Sequence, residues 1–172
     1  MQMRKLFTIL TILPLMALTG CATNESDNAQ AVVAEISLAW VRASDFSDHQ
    51  GGMTGVFMEI TNPGTEPITL VGGSSEISST VEIHEVVMKD DALVMQPKVG
   101  GITIQPGETH VLEMGGDHVM LMDLKKAIMA GDLITVTLDF EGAEDVTLEG
   151  LVAKTSDGGD EEYNHGEEGH SH

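Results

Sequence analysis

The sequence predicts an all-β domain, an antiparallel β-sandwich or Greek-key barrel, and three observations carry that reading. Between residues 34 and 154, short runs rich in Val, Ile, Leu and Thr are separated by Gly, Pro, Asn and Asp. Branched side chains fit a pleated surface, and the separating residues accept the backbone angles of reversals, so such runs read as strands. The runs recur at near-regular spacing, as they do in sandwiches and barrels. No long stretch keeps its apolar residues at a helical period.

In chain order the expected strands are Ala34–Val41, Thr54–Thr61, Ile68–Gly72, Thr80–Met88, Leu93–Pro97, Thr109–Met114, Val119–Met122, Leu133–Phe140 and Val146–Val152. Asn62-Pro63-Gly64, Lys89-Asp90-Asp91, Gln105-Pro106-Gly107 and Gly115-Gly116 supply turns. A short helical turn is expected within Asp123–Ala130. About 120 residues are enough for one core of this kind. That core must be aliphatic, because beyond residue 20 the aromatic residues are Trp40, Phe46, Phe57, Phe140 and Tyr163.

Both ends of the chain read differently from this domain. Arg4 and Lys5 precede an apolar run from Leu6 to Leu18, which Pro14 interrupts. The run is too short to span a bilayer, which takes roughly 20 residues. A basic start, a short apolar segment and small residues after it describe a secretory signal, here residues 1–20. Leu18-Thr19-Gly20-Cys21 resembles a bacterial lipobox, which implies lipidation of Cys21. Cys21 is the single Cys of the chain, so no intramolecular disulfide can form. A free thiol is a liability in an oxidising compartment, and a lipidated one is not. The expected location is therefore extracytoplasmic and lipid-anchored, on a periplasmic or outer cell-surface face. Residues 21–33 are polar and read as a tether. Residues 155–172 are acidic, rich in Gly and poor in apolar groups, and read as a disordered tail.

The chain holds 8 Lys and Arg against 28 Asp and Glu, and loss of residues 1–20 moves the net charge from −20 to −22. Nucleic acid is excluded as a partner, since binding it requires a cationic surface. A negative field of this size raises the local concentration of metal cations as well as solubility.

The residues that bear chemistry lie between Val81 and Leu124. Met95 follows His84 by 11 residues, His118 follows Met95 by 23, and Met120 lies two further on. Strand parity places Glu82, His84, Val86 and Met88 on one face, and His118 and Met120 on another common face. A reversal near Lys89–Asp91 leaves two registers open. In one, Val86 opposes Met95 and His84 lies diagonal to it; in the other, His84 opposes Met95 directly. Two imidazoles and two thioethers form a soft to borderline donor set, which favours Cu(I) over hard cations. Met58, Met114 and Met129 read as core filler, and His110 as a polar residue satisfied locally. His49 and Met53 lie in a loop and are not counted as ligands.

The segments from Glu82 to Met88, Val94-Met95, and Gly115 to Leu124 resemble the PCu(A)C family of periplasmic copper chaperones. Ala39-Trp40-Val41-Arg42-Ala43, Gly100-Gly101-Ile102 and Ile104-Gln105-Pro106-Gly107 fit the same pattern, and the similarity runs from about Ile36 to Val152. The resemblance implies a cupredoxin-like β-sandwich holding Cu(I) through His84, Met95, His118 and Met120. It implies transfer of that copper to an acceptor, such as the copper centres of cytochrome c oxidase or a Sco-type thiol protein. Met88 and Met122 lie on the ligand-bearing faces, where packing is the simpler role and shielding or auxiliary ligation the alternative. His165, His170 and His172 stand among tail acids, and imidazole with carboxylate suits Cu(II) or Zn(II).

Three functions compete on this reading. A chaperone presents an exchangeable Cu(I) site, and a storage lipoprotein relies on its acidic, His-bearing tail. A blue-copper electron carrier requires a Cys thiolate beside two His, and the one Cys stands at the anchor position. No nucleophile–base order, phosphate loop or paired-carboxylate pattern marks an enzyme.

Overall fold

The computed structural model describes residues 31–44 and 52–155. Ten strands follow in order: β1 (Glu35–Arg42), β2 (Thr54–Thr61), β3 (Ile68–Ser74), β4 (Ser78–Lys89), β5 (Ala92–Pro97), β6 (Ile102–Ile104), β7 (Thr109–Leu112), β8 (His118–Leu124), β9 (Leu133–Glu141) and β10 (Val146–Lys154). Their lateral order is β5-β4-β8-β2-β1-β10-β9-β3-β6, with β7 also paired to β2. One edge of β2 is shared: Thr54–Val56 pair with β8, and Met58–Thr61 with β7. The expectation of a purely antiparallel arrangement is corrected at one seam. β1 and β10 run parallel through Val41↔Ala153 and Arg42↔Lys154, while the other strand pairs are antiparallel.

Strand alternation builds the core. In β9, Ile134, Val136, Leu138 and Phe140 are buried while Leu133 and Thr135 are exposed. They join Ile68, Leu70 and Ile104 from the same half of the sheet, and Val41, Val56, Ile60, Ile83, Val119 and Leu121 from the other half, in one apolar cluster. The two halves thus face each other across a single core, as in a β-sandwich. Full burial of each such aliphatic side chain contributes about 1.5–3 kcal/mol.

The β4–β5 hairpin decides between the two registers. Lys89 pairs with Ala92, and Asp90 and Asp91 between them take φ values of 52° and 64°. Two consecutive left-handed residues make the type I′ reversal that matches strand twist, and Asp tolerates that conformation. Met88 consequently opposes Leu93, Val86 opposes Met95, and His84 opposes Pro97.

Three local expectations change. β6 is a three-residue strand in a segment dominated by turn formers. Its Ile68↔Ile104 and Leu70↔Ile102 pairs fill the core, and Thr103 Oγ1 meets Thr69 Oγ1 at 3.1 Å. No helical turn forms within 123–130. There the Leu124 N–H donates to Gly52 O, the Lys125 N–H to Ile77 O and the Ile128 N–H to Ser44 O, so backbone donors go to distant strands and loops. Met114 and Met129 are not core filler, since both lie outside the strands and are exposed, whereas Met58 is buried as expected.

Candidate metal centre

The strands β5, β4, β8 and β2 lie side by side, and directly opposed residues share a sheet face. His84 stands opposite His118, and Glu82 opposite Met120. Met95, opposite Val86, falls on the face of Glu82 and His84, and Gly55 of β2 stands opposite Met120. The four residues singled out by spacing, His84, Met95, His118 and Met120, therefore meet on one face.

His84, His118 and Met120 are 8, 5 and 5% exposed, and Met95 is half-buried. The two imidazole centroids are 6.0 Å apart. His118 Nε2 lies 3.1 Å from Met95 Sδ. On the other side of that ring, Nδ1 is 3.0 Å from the Gly116 carbonyl, which can only accept, so Nδ1 carries the proton. Burial pushes the His118 pKa below the usual histidine range, which the Gly116 bond partly opposes and His84 reinforces. The neutral ring then directs an Nε2 lone pair at a thioether that has no proton to give.

His84 repeats the pattern with its nitrogens exchanged. Its Nε2 is 2.9 Å from Glu82 Oε2, while Nδ1 is buried and meets no hydrogen-bond partner among the described residues. With the Nε2 proton directed to the carboxylate, Nδ1 is left unprotonated, an acceptor with an unused lone pair. A buried polar atom without a partner costs about 1–3 kcal/mol, and a bound cation would remove that cost. Among the described residues no three His, Cys, Asp or Glu gather in a metal-binding group. The histidines have soft neighbours instead, the thioethers.

A cavity of about 70 Å³ opens beside the cluster, lined by Met95, His118, Met120 and Met114 together with Gly55 and Phe57. His84 is not in its wall and lies next to His118. A Cβ on Gly55 would stand 2.6 Å from Phe57 Cζ, so glycine is what lets that ring lie over the strand. The Phe57 ring centroid is 6.0 Å from that of His118 and 4.8 Å from that of Trp40.

A second polar group fixes the start of β8. Lys98 Nζ bonds Glu85 Oε2 at 2.9 Å and Asp117 Oδ1 at 3.0 Å, and Asp117 Oδ2 pairs with His110 Nε2 at 3.0 Å. The hydrogen bond from Lys98 and then that from Gln96 hold the Glu85 carboxyl below its usual range. The bond to Glu85 in turn raises the Lys98 ammonium. His110 is thus satisfied locally, and Asp117 is tied down directly before His118.

The remaining residues are scattered. Met88 is on the correct face but 68% exposed at the hairpin end, and Met122 is half-buried opposite Thr80, two pairs beyond Met120. Met53 is half-buried near the start of β2. Cys21, His49, His165, His170 and His172 lie outside the described residues. Two residues that spacing did not select stand at the site. Glu82 was legible as the same-face neighbour of His84, whereas Met114 lies on a glycine turn that has no readable period.

The model of the LpqE-like lipoprotein family matches residues 34–152. The chain belongs to that family. A lipoprotein of Leifsonia xyli subsp. xyli is 38% identical to this LpqE-like chain over 131 residues, covering 73% of this chain and 76% of the relative. The copper-bound PCuAC domain from PmoF2 is 26% identical with a TM-score of 0.56, covering 72% of this chain and 96% of that one. The Cu(I) form of DR1885 from Deinococcus radiodurans is 24% identical with a TM-score of 0.53, covering 77% and 87%, and that likeness is one of fold. The PCu(A)C resemblance carried by the motif thus meets solved PCuAC domains of the same fold.

Proposed function

We propose that this LpqE-like protein is an extracytoplasmic Cu(I) chaperone that holds copper through His84, Met95, His118 and Met120 and passes it to an acceptor protein. The observation that carries the reading is the 3.1 Å approach of His118 Nε2 to Met95 Sδ, two acceptors with no proton between them. The unpartnered Nδ1 of His84 adds a second nitrogen donor in the same cluster. Two nitrogens and two thioether sulfurs suit Cu(I), which tolerates three- or four-fold coordination and favours soft donors. The copper-bound PCuAC domain among the fold neighbours supports the same cargo. Thioethers bring no charge to the ion and cannot be lost to disulfide formation, which suits release by ligand exchange outside the cytoplasm. Cytochrome c oxidase copper centres, or a thiol protein that serves them, fit as acceptors. Lipid on Cys21 would hold the domain at the membrane surface.

Anaerobic Cu(I) titration of the chain with and without residues 155–172 tests the proposal. One tight equivalent should survive loss of the tail and disappear when His118 and Met120 are replaced together. Stoichiometry that falls chiefly with the tail would replace transfer by sequestration through His165, His170 and His172.

A further inference from the structure

We propose that Met114 is a relay ligand at the mouth of the copper site, taking Cu(I) from the buried donors and presenting it to the acceptor. The inference rests on the four-ligand reading above and extends it outward. Met114 shares the cavity wall with Met95, His118 and Met120, yet it is 43% exposed, whereas Met120 is 5% exposed. It is therefore a methionine on the cavity wall it shares with the buried donors, at a position an acceptor can reach.

Its position follows from the chain around it. β7 ends at Leu112, and the Glu113 N–H to Asp117 O bond of 2.9 Å closes a tight loop over Met114, Gly115 and Gly116. Gly115 has φ +81°, a conformation that costs a side-chain-bearing residue about 1–2 kcal/mol. Asp117, held by Lys98 and His110, fixes the far end of the loop next to His118. Met114 is thus carried by the loop that delivers His118.

The same side chain also lines a second, adjoining cavity, with Leu38, Trp40 and Val111. Leu38 is 74% exposed and held at φ 53° by the irregular register of β1. Met114 therefore stands where the wall of the donor cavity meets a second cavity, which Glu59 and Glu113 also line.

The step is ligand exchange without redox change. A Cu–S bond to Met114 forms as a bond to one buried donor breaks, Cu(I) stays Cu(I), and no proton is released because a thioether carries none. Exchange through an intermediate ligand avoids a stage at which copper has lost donors and gained none.

The experiment follows Cu(I) leaving the loaded full-length protein for excess bathocuproine disulfonate, anaerobically and by stopped flow. Met114→Leu keeps bulk and apolarity and removes sulfur. The expected result is an exit rate lower by about tenfold, with equilibrium Cu(I) affinity within about threefold of wild type. An unchanged rate overturns the relay, and so does an affinity loss as large as the rate loss, which would make Met114 a permanent ligand. Met120→Leu, run beside it, separates the two readings: unchanged binding in that variant overturns the four-ligand site, whatever Met114 does.

Discussion

His84 and His118 face each other across adjacent antiparallel strands, their ring centroids 6.0 Å apart, and each ring has one nitrogen tied to an oxygen acceptor. In the proposed four-ligand site both rings would hold the same ion through bonds of about 2.0 Å. Removing either ring or either thioether should weaken Cu(I) binding more than it weakens the fold. Met120→Leu is the cleanest case, because Leu nearly conserves volume in a buried position and should cost under about 1.5 kcal/mol of stability. Cu(I) affinity is expected to fall at least about tenfold, equivalent to 1.4 kcal/mol of binding. Competition with a Cu(I) chelator measures the affinity, and thermal unfolding of the metal-free protein measures the stability.

Glu82 is expected to act through His84. Its Oε2 lies 2.9 Å from His84 Nε2, which directs the proton there and leaves Nδ1 free. Carboxylates that orient a ligating His typically account for 10- to 100-fold in metal affinity. Glu82→Ala should therefore lower Cu(I) affinity by about tenfold or more. Nitrogen-15 chemical shifts of His84 should move from a single tautomer toward a mixture in the apo variant. A purely structural role for Glu82 would leave the tautomer untouched.

Parity and turn chemistry made most of this legible in the sequence. Strand period put His118 with Met120 and Glu82 with His84 before any pairing was known, and Lys89-Asp90-Asp91 located the hairpin that brings in Met95. The hairpin's register was not legible, because the two alternatives place a two-residue turn one position apart, at 89–90 or 90–91, and only the left-handed pair Asp90 and Asp91 decides it. β6 was hidden because three residues, Ile102–Ile104, are too short a run to establish a period. The segment from Asp123 to Ala130 has no stable helix face of its own, and its N–H groups are claimed by Gly52, Ile77 and Ser44 from elsewhere in the chain. Met114 reads as filler in the sequence because composition treats a methionine beside two glycines like any apolar residue.

Lys98 should give stability a defined pH window. Glu85 has a folded pKa below 4.5, so the unfolded chain binds more protons there, and this stabilisation is present above about pH 4.5 and lost as pH falls through the lowered value. Lys98 is raised above 10.5, so its share is present below that pH and lost as pH rises through the raised value. Both side chains are partly exposed, which limits the pair to about 1 kcal/mol. Lys98→Met should lose up to that amount between about pH 5 and 10. In urea unfolding the gap from wild type should narrow at pH 3. A gap that stays constant across that range would remove the ion pair as its cause.

Gly101 should be the least replaceable glycine on the second half of the sheet. Its φ of +72° disfavours a side chain, and a Cβ would run into the Leu70 carbonyl, which is backbone and cannot swing aside. The left-handed conformation alone costs about 1–2 kcal/mol for Ala, and the collision adds to it by forcing β6 away from β3. Ile102 and Ile104 would then lose their places against Leu70 and Ile68. Gly107 also has positive φ, +74°, but a Cβ there meets nothing within 4 Å. Thermal unfolding should therefore rank Gly101→Ala well below Gly107→Ala. Equal losses of stability would show that the collision with Leu70 relaxes freely and that φ alone sets the cost.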